Sequence, residues 1–187
     1  MKAFKITGLF IIIQLIGSPT LRAQSNFPSS WIGSYEGTMY LENPGGILDS
    51  LDLSFDLLEN GKNRWTYRMT FDSPKWGKQV KDYELVWNDS LKSPSIFLMD
   101  EKNGLLLREY FMNHQFYSHY QVEGKHFMSS LQRRGNDLYF EIRCTDPKMA
   151  YSSISDADDQ GKRFEVQNFH LFMLQYATLK VKKPISK

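Results

Sequence analysis

The stretch Trp31-Ile32-Gly33-Ser34-Tyr35-Glu36-Gly37-Thr38-Met39-Tyr40-Leu41 decides how this chain folds. Trp31, Gly33, Tyr35, Gly37, Met39 and Leu41 fall on one side, and Ser34, Glu36 and Thr38 on the other. Side chains alternate across a strand, so a period of two spells a half-buried β-strand and not a helix. The same period returns along the chain. Leu51, Leu53, Phe55 and Leu57 alternate with Asp52, Ser54 and Asp56. The hairpin turn Glu59-Asn60-Gly61-Lys62 follows, since Asn-Gly tolerates positive φ. Trp65, Tyr67, Met69 and Phe71 then alternate with Arg64, Thr66, Arg68 and Thr70.

A loop around Pro74 and Gly77 leads to a strand holding Tyr83, Leu85 and Trp87, and a second loop holds Pro94. Residues 96–99 run into the turn Asp100-Glu101-Lys102-Asn103-Gly104, and strands are expected at 105–112, 115–122, 126–133 and 138–145. The polar segment 146–162, with Pro147 and Gly161, reads as a long exposed loop or a short helix. Residues 164–181 are apolar on both faces and read as two strands, or as one broken by a bulge. Pro28, Pro44, Pro74, Pro94, Pro147 and Pro184 all fall outside the expected strands, as suits a residue that cannot donate to a ladder.

The first 23 residues read as a signal peptide. Lys2 and Lys5 open it, an apolar run covers residues 9–16, and Leu21-Arg22-Ala23 ends in a small residue suited to cleavage. The run is short for a membrane span. The expected mature chain is a single domain, 24–187, exported to the periplasm or beyond the cell. Loss of Lys2, Lys5 and Arg22 leaves 20 Lys+Arg against 21 Asp+Glu, a net charge of −1. No basic stripe remains to attract nucleic acid. Cys144 is the only cysteine, so no internal disulfide is available; it shares parity with Leu138, Phe140 and Ile142 and reads as a buried apolar group.

Many short strands joined by tight turns predict an all-β, antiparallel up-and-down meander of about 8–10 strands that closes on itself and removes its edges. A Trp-x-Gly-x-Tyr-x-Gly first strand leading into such a meander resembles the lipocalin-like, or calycin, barrels. The stretch from Asp100-Glu101-Lys102-Asn103-Gly104 to Leu138-Tyr139-Phe140-Glu141-Ile142 resembles small secreted bacterial lipocalin-like proteins. Barrels of that size are just wide enough for one small ligand. A membrane barrel fits less well, because several segments are nearer eight residues than the about 9–11 a span requires.

The expected ligand wall is the apolar parity set Trp31, Tyr35, Met39, Phe55, Trp65, Tyr67, Tyr83, Trp87, Phe116, Tyr120 and Phe140. Such a lining suits a small hydrophobic molecule oriented by tyrosine hydroxyls and indole N–H groups. The same rings also suit a filled core. In that case the protein is an interaction module gripping a protein or glycan, with Trp76 of Ser73-Pro74-Lys75-Trp76-Gly77 as the anchor.

No catalytic constellation is visible, and no cofactor or metal is expected. Asp100 and Glu101 are adjacent but diverge, and Ser129-Ser130 and Ser152-Ser153 lack a nucleophile elbow. Among the histidines, His114 reads as a turn residue. His170, in the apolar run Asn168-Phe169-His170-Leu171-Phe172, reads as a hydrogen-bonded core residue, with ligation of a haem iron as the sharper alternative.

Overall fold

The computed structural model describes residues 27–182. The expected leader 1–23, the mature start at Gln24 and Pro184 lie outside them. Ten strands follow one another: β1 (Gly33–Asn43), β2 (Gly46–Glu59), β3 (Arg64–Ser73), β4 (Gly77–Val86), β5 (Ile96–Asp100), β6 (Leu106–Met112), β7 (Gln115–Val122), β8 (Lys125–Arg134), β9 (Asp137–Ile154) and β10 (Glu165–Val181). Each pairs antiparallel with the next, and β1 pairs with β10, so the all-β meander closes into a barrel. Short 3-10 turns at Ser29–Trp31 and Asp89–Leu91 complete the described elements.

The apolar parity faces inward. Leu53, Phe55, Leu57, Leu85, Leu138 and Leu179 are essentially inaccessible to water, each contributing about 1.5–3 kcal/mol of burial. The opposite parity carries cross-strand ion pairs on the outside, such as Arg68 with Asp82 at 2.8 Å and Lys182 with Glu36 at 2.9 Å. Cys144 is buried as expected, and burial pushes its thiol up to about 11.

Consecutive hairpins place the turns alternately at two ends. The turns at 44–45, 74–76, 101–105, 123–124 and 155–164 share one end, called here the upper one. The lower end holds the chain entry at residues 27–32 and the turns at 60–63, 87–95, 113–114 and 135–136. Asn113 and His114 both take positive φ in the tight β6–β7 turn, so His114 is indeed a turn residue.

The wall is uneven. β3 and β4 share ten rungs, from Arg64↔Val86 to Ser73↔Gly77. By contrast β4 and β5 share only three, and β6 and β7 only three, all in the lower half. The β5–β6 hairpin is therefore short and joined to its neighbours only near the bottom.

Four expectations are corrected. Trp31 does not belong to the first strand; it ends a 3-10 turn below it, and β1 starts two residues later. Trp87 lies just past β4, where its indole N–H donates to the Ser93 carbonyl at 2.9 Å. The polar segment from Asp146 is no loop: β9 continues to Ile154, and only residues 155–164 connect it to β10. Pro147 consequently sits inside a strand. Asp146 pairs with His170 and Tyr151 with Asn168, so residues 147–150 bulge opposite Phe169, where a missing N–H costs no rung. β10 is one strand with two register shifts, the bulged alternative.

The last rung between β8 and β9 is His126↔Thr145, and the last between β1 and β10 is Glu42↔Leu174. Beyond them β9 and β10 rise as a two-stranded ribbon, exposed on both faces at residues 151–154 and 165–171. Tyr151, Ile154, Val166, Phe169 and Leu171 are exposed on it, and so is His170, which is therefore not a core residue. Isolated two-stranded ribbons are marginal in water. Amides of Ser152, Ser153, Val166 and Gln167 should exchange at least about a hundredfold faster than those of Leu53 and Phe55. Hydrogen exchange read by mass spectrometry checks this, and equal protection would mean the ribbon is covered.

Candidate functional site

The lower half of the barrel is solid. Phe27 and Trp31 enter from below and meet edge to face at 5.1 Å. Phe27 stacks on Phe111 at 4.6 Å and lies 4.5 Å from Phe116. Trp65 closes on Phe97 at 6.1 Å. The Tyr35 hydroxyl donates to the Trp31 carbonyl at 2.7 Å, tying the plug to β1. Above it Phe55 stacks with Tyr35 and meets Tyr67 edge-on at 4.7 Å.

The upper half is hollow. A cavity of about 480 Å³ begins above this layer and opens among the upper turns. Its apolar wall includes Met39, Leu51, Met69, Phe71, Leu131, Phe140 and Ile142. Tyr120 and Phe127, from the facing strands β7 and β8, stack at 5.5 Å on one side. Trp76, 55% exposed, stands at the mouth on the β3–β4 turn.

Of the residues expected to line a ligand site, the structure gathers Met39, Tyr67, Tyr83, Phe116, Tyr120 and Phe140 around the cavity. It places Trp31, Tyr35, Phe55, Trp65 and Trp87 lower down, in or against the packed core. Parity alone cannot separate the two groups, because both point inward and differ only in height along the barrel.

The group that the pattern reading passed over is Glu109. On β6 it follows Leu107 and precedes Phe111 on the inward side, so a carboxyl stands at an apolar position. It is 7% exposed and lines the cavity. Burial pushes its carboxyl up to about 7, held back in part by the Ser118 hydroxyl. Ser118 is buried on the facing strand β7, within reach of both that carboxyl and the Arg108 carbonyl, the latter at 3.3 Å.

Three tyrosines share this region. Burial raises Tyr67 well above the ordinary phenol range, reinforced by the Glu109 charge and then by Tyr120 and Tyr83. Burial pushes Tyr120 up to about 12, again with Glu109 as the next cause. Tyr83 is also pushed up to about 12, by burial and then by the Glu101 carboxylate. All three phenols stay neutral at ordinary pH, and all three residues line the cavity.

The charged groups of the wall are Glu101, Glu109 and Lys81, and Lys81 is exposed near the mouth. None of the ion pairs formed among the described residues includes Glu109. The arrangement is an apolar cup with one deep, unneutralised acid and a ring of tyrosines. No protein-family model and no curated protein matches the chain, so its function is read from the barrel itself.

Proposed function

We propose that this chain is an exported, lipocalin-like carrier holding one small, mainly apolar molecule in the upper half of its barrel. The half-filled interior carries this reading. A plugged lower end and a cavity of about 480 Å³ open at the other make a closed-bottom cup. Its volume falls within the roughly 300–1,000 Å³ typical of ligand pockets. The apolar wall with a few convergent polar groups, Tyr67, Tyr120, Ser129 and Glu109, is what such pockets use to hold and orient a ligand.

Native mass spectrometry of residues 24–187, compared with the same sample denatured, tests it. A discrete extra mass lost on denaturation supports a carrier. No adduct, together with no binding of a neutral hydrophobic fluorescent probe, overturns it. A blocking variant sharpens the result. Ser129 of β8 faces the cavity and is small, so Ser129→Trp places an indole inside without displacing a packed side chain. It should weaken probe binding by about tenfold or more while leaving the circular dichroism spectrum unchanged.

One observation favours an interaction module as the second reading. Ile47, Leu48, Trp76, Leu105, Leu106 and Val122 are all exposed on or beside the upper turns, at the end where the cavity opens. Such patches often mark contact with a protein or glycan. Trp76 lines the mouth as well, so Trp76→Ala perturbs both readings. Leu105 and Leu106 do not touch the cavity, and their replacement by serine separates the two. Partner binding should fall while probe binding stays.

A further inference from the structure

We infer that the molecule held in the cup is a cation, an amine on an apolar body, with its ammonium seated against Glu109 and between the rings of Tyr67 and Tyr120. This rests on the carrier reading and adds the chemical class of the ligand.

Ser118 and Tyr120 face Glu109 from β7 and Tyr67 from β3; Tyr83 of β4 lies beside Tyr67 and Tyr120, and Cys144 of β9 beside Tyr120. Glu101 and Lys81 are the charged groups nearer the mouth. No basic side chain among the described residues pairs with Glu109, although every strand around it could have supplied one. An apolar side chain at this position would have continued the parity of Leu107 and Phe111, its neighbours on the same side. A buried carboxyl without a cation is expensive to keep, and a ligand that neutralises it recovers that cost.

Ligand classes separate on this ground. A fatty carboxylate entering the cup meets Glu109 and Glu101 with like charge, and the single Lys81 stands out at the mouth. A neutral lipid gains the apolar wall but leaves Glu109 as it was. An ammonium gains the wall, a charge-assisted hydrogen bond to the carboxylate, and the faces of the neighbouring tyrosine rings. Only the cation uses every feature of the pocket.

The test is displacement of a neutral fluorescent probe by three single-chain ligands of equal length: decylamine, decanol and decanoate. Decylamine should displace the probe at a concentration at least about tenfold below decanol, with decanoate the weakest. In Glu109→Gln the advantage of the amine over the alcohol should be lost. The pH arm needs no variant. In the wild-type protein the advantage of amine over alcohol should shrink by up to about tenfold per pH unit below about 7, as Glu109 takes up its proton. The phenols, and Cys144 at about 11, titrate well above this range.

Decanol or decanoate matching decylamine in the wild type, or an amine advantage that survives Glu109→Gln or low pH, overturns the inference and leaves the carrier standing. Failure of the probe and all three ligands to bind the folded protein removes the carrier reading and this one with it.

Discussion

Alanine at Gly37 is expected to cost about 3 kcal/mol of stability or more, the largest loss from any single added methyl in the barrel. The cause is backbone, not side chain. A Cβ on Gly37 would stand 2.2 Å from the Thr178 carbonyl oxygen and 3.2 Å from its carbon. Gly37 lies on β1 and Thr178 on β10, the pair whose ladder closes the barrel. Rungs flank the spot at Glu36↔Lys180 and Met39↔Ala177, so neither strand can retreat without opening the seam. The last member of the Trp-x-Gly-x-Tyr-x-Gly pattern thus has a steric reason. Gly135→Ala is the comparison: φ there is 66° and nothing lies within 4 Å of the added carbon, so only the left-handed backbone is penalised. That costs about 1 kcal/mol. Urea unfolding of both variants checks the difference. Equal losses would mean the seam gives way more easily than its geometry implies.

The barrel was legible because its walls divide water from core. Wherever a strand has one wet and one dry face, as in Leu51, Leu53, Phe55 and Leu57 of β2, the period of two appears and the turn residues mark its ends. The ribbon formed by the ends of β9 and β10 has two wet faces, so its strands carry no such period and residues 146–154 read as loop. Pro147 strengthened that misreading, since nothing in the sequence announces a bulge that leaves its missing N–H without consequence. Trp31 continues the parity of β1 although it belongs to the turn beneath it, because the same side of the chain turns inward to plug the barrel.

The site was legible in one dimension only. Alternation tells in from out, but not high from low, so Phe55 and Tyr67 looked equivalent although one lies beneath the cavity and the other beside it. Height depends on which end the chain entry plugs, and that is a tertiary fact. Glu109 was visible in principle: a carboxyl on the parity of Leu107 and Phe111 breaks the pattern of its own strand. Such breaks are where stability is given up for function.

Glutamine at position 109 is expected to stabilise the protein by about 3 kcal/mol near pH 8 and to remove most of its pH dependence between about 4.5 and 7. In the native protein the Glu109 carboxyl keeps its proton up to about 7, whereas in the unfolded chain it loses it near 4.5. Between those values the native state holds the extra proton, so wild-type stability falls as pH rises through the window and levels off above it. Glutamine keeps the shape and a polar group near Ser118 but carries no charge to desolvate. Among the described groups whose titration is shifted, only Glu109 acts in this window. The carboxyls of Asp49, Asp82 and Asp146 are held below their ordinary 3.8 by Lys75, by Arg68 and Lys102, and by Lys125, so they act at lower pH. Cys144 and the tyrosines are shifted upward and act well above it. Thermal unfolding at about pH 8 should show the variant melting about 6–12 °C higher, and at about pH 4.5 the two proteins should nearly coincide. Parallel pH profiles would mean that Glu109 is ionised at little cost, and the amine would then lose its energetic reason to be there. A gain at neutral pH that comes with loss of amine preference would show the opposite. The chain then keeps a destabilising acid in its core because a ligand's charge offsets it, and amine-loaded wild-type protein should recover the stability that glutamine confers on the free one.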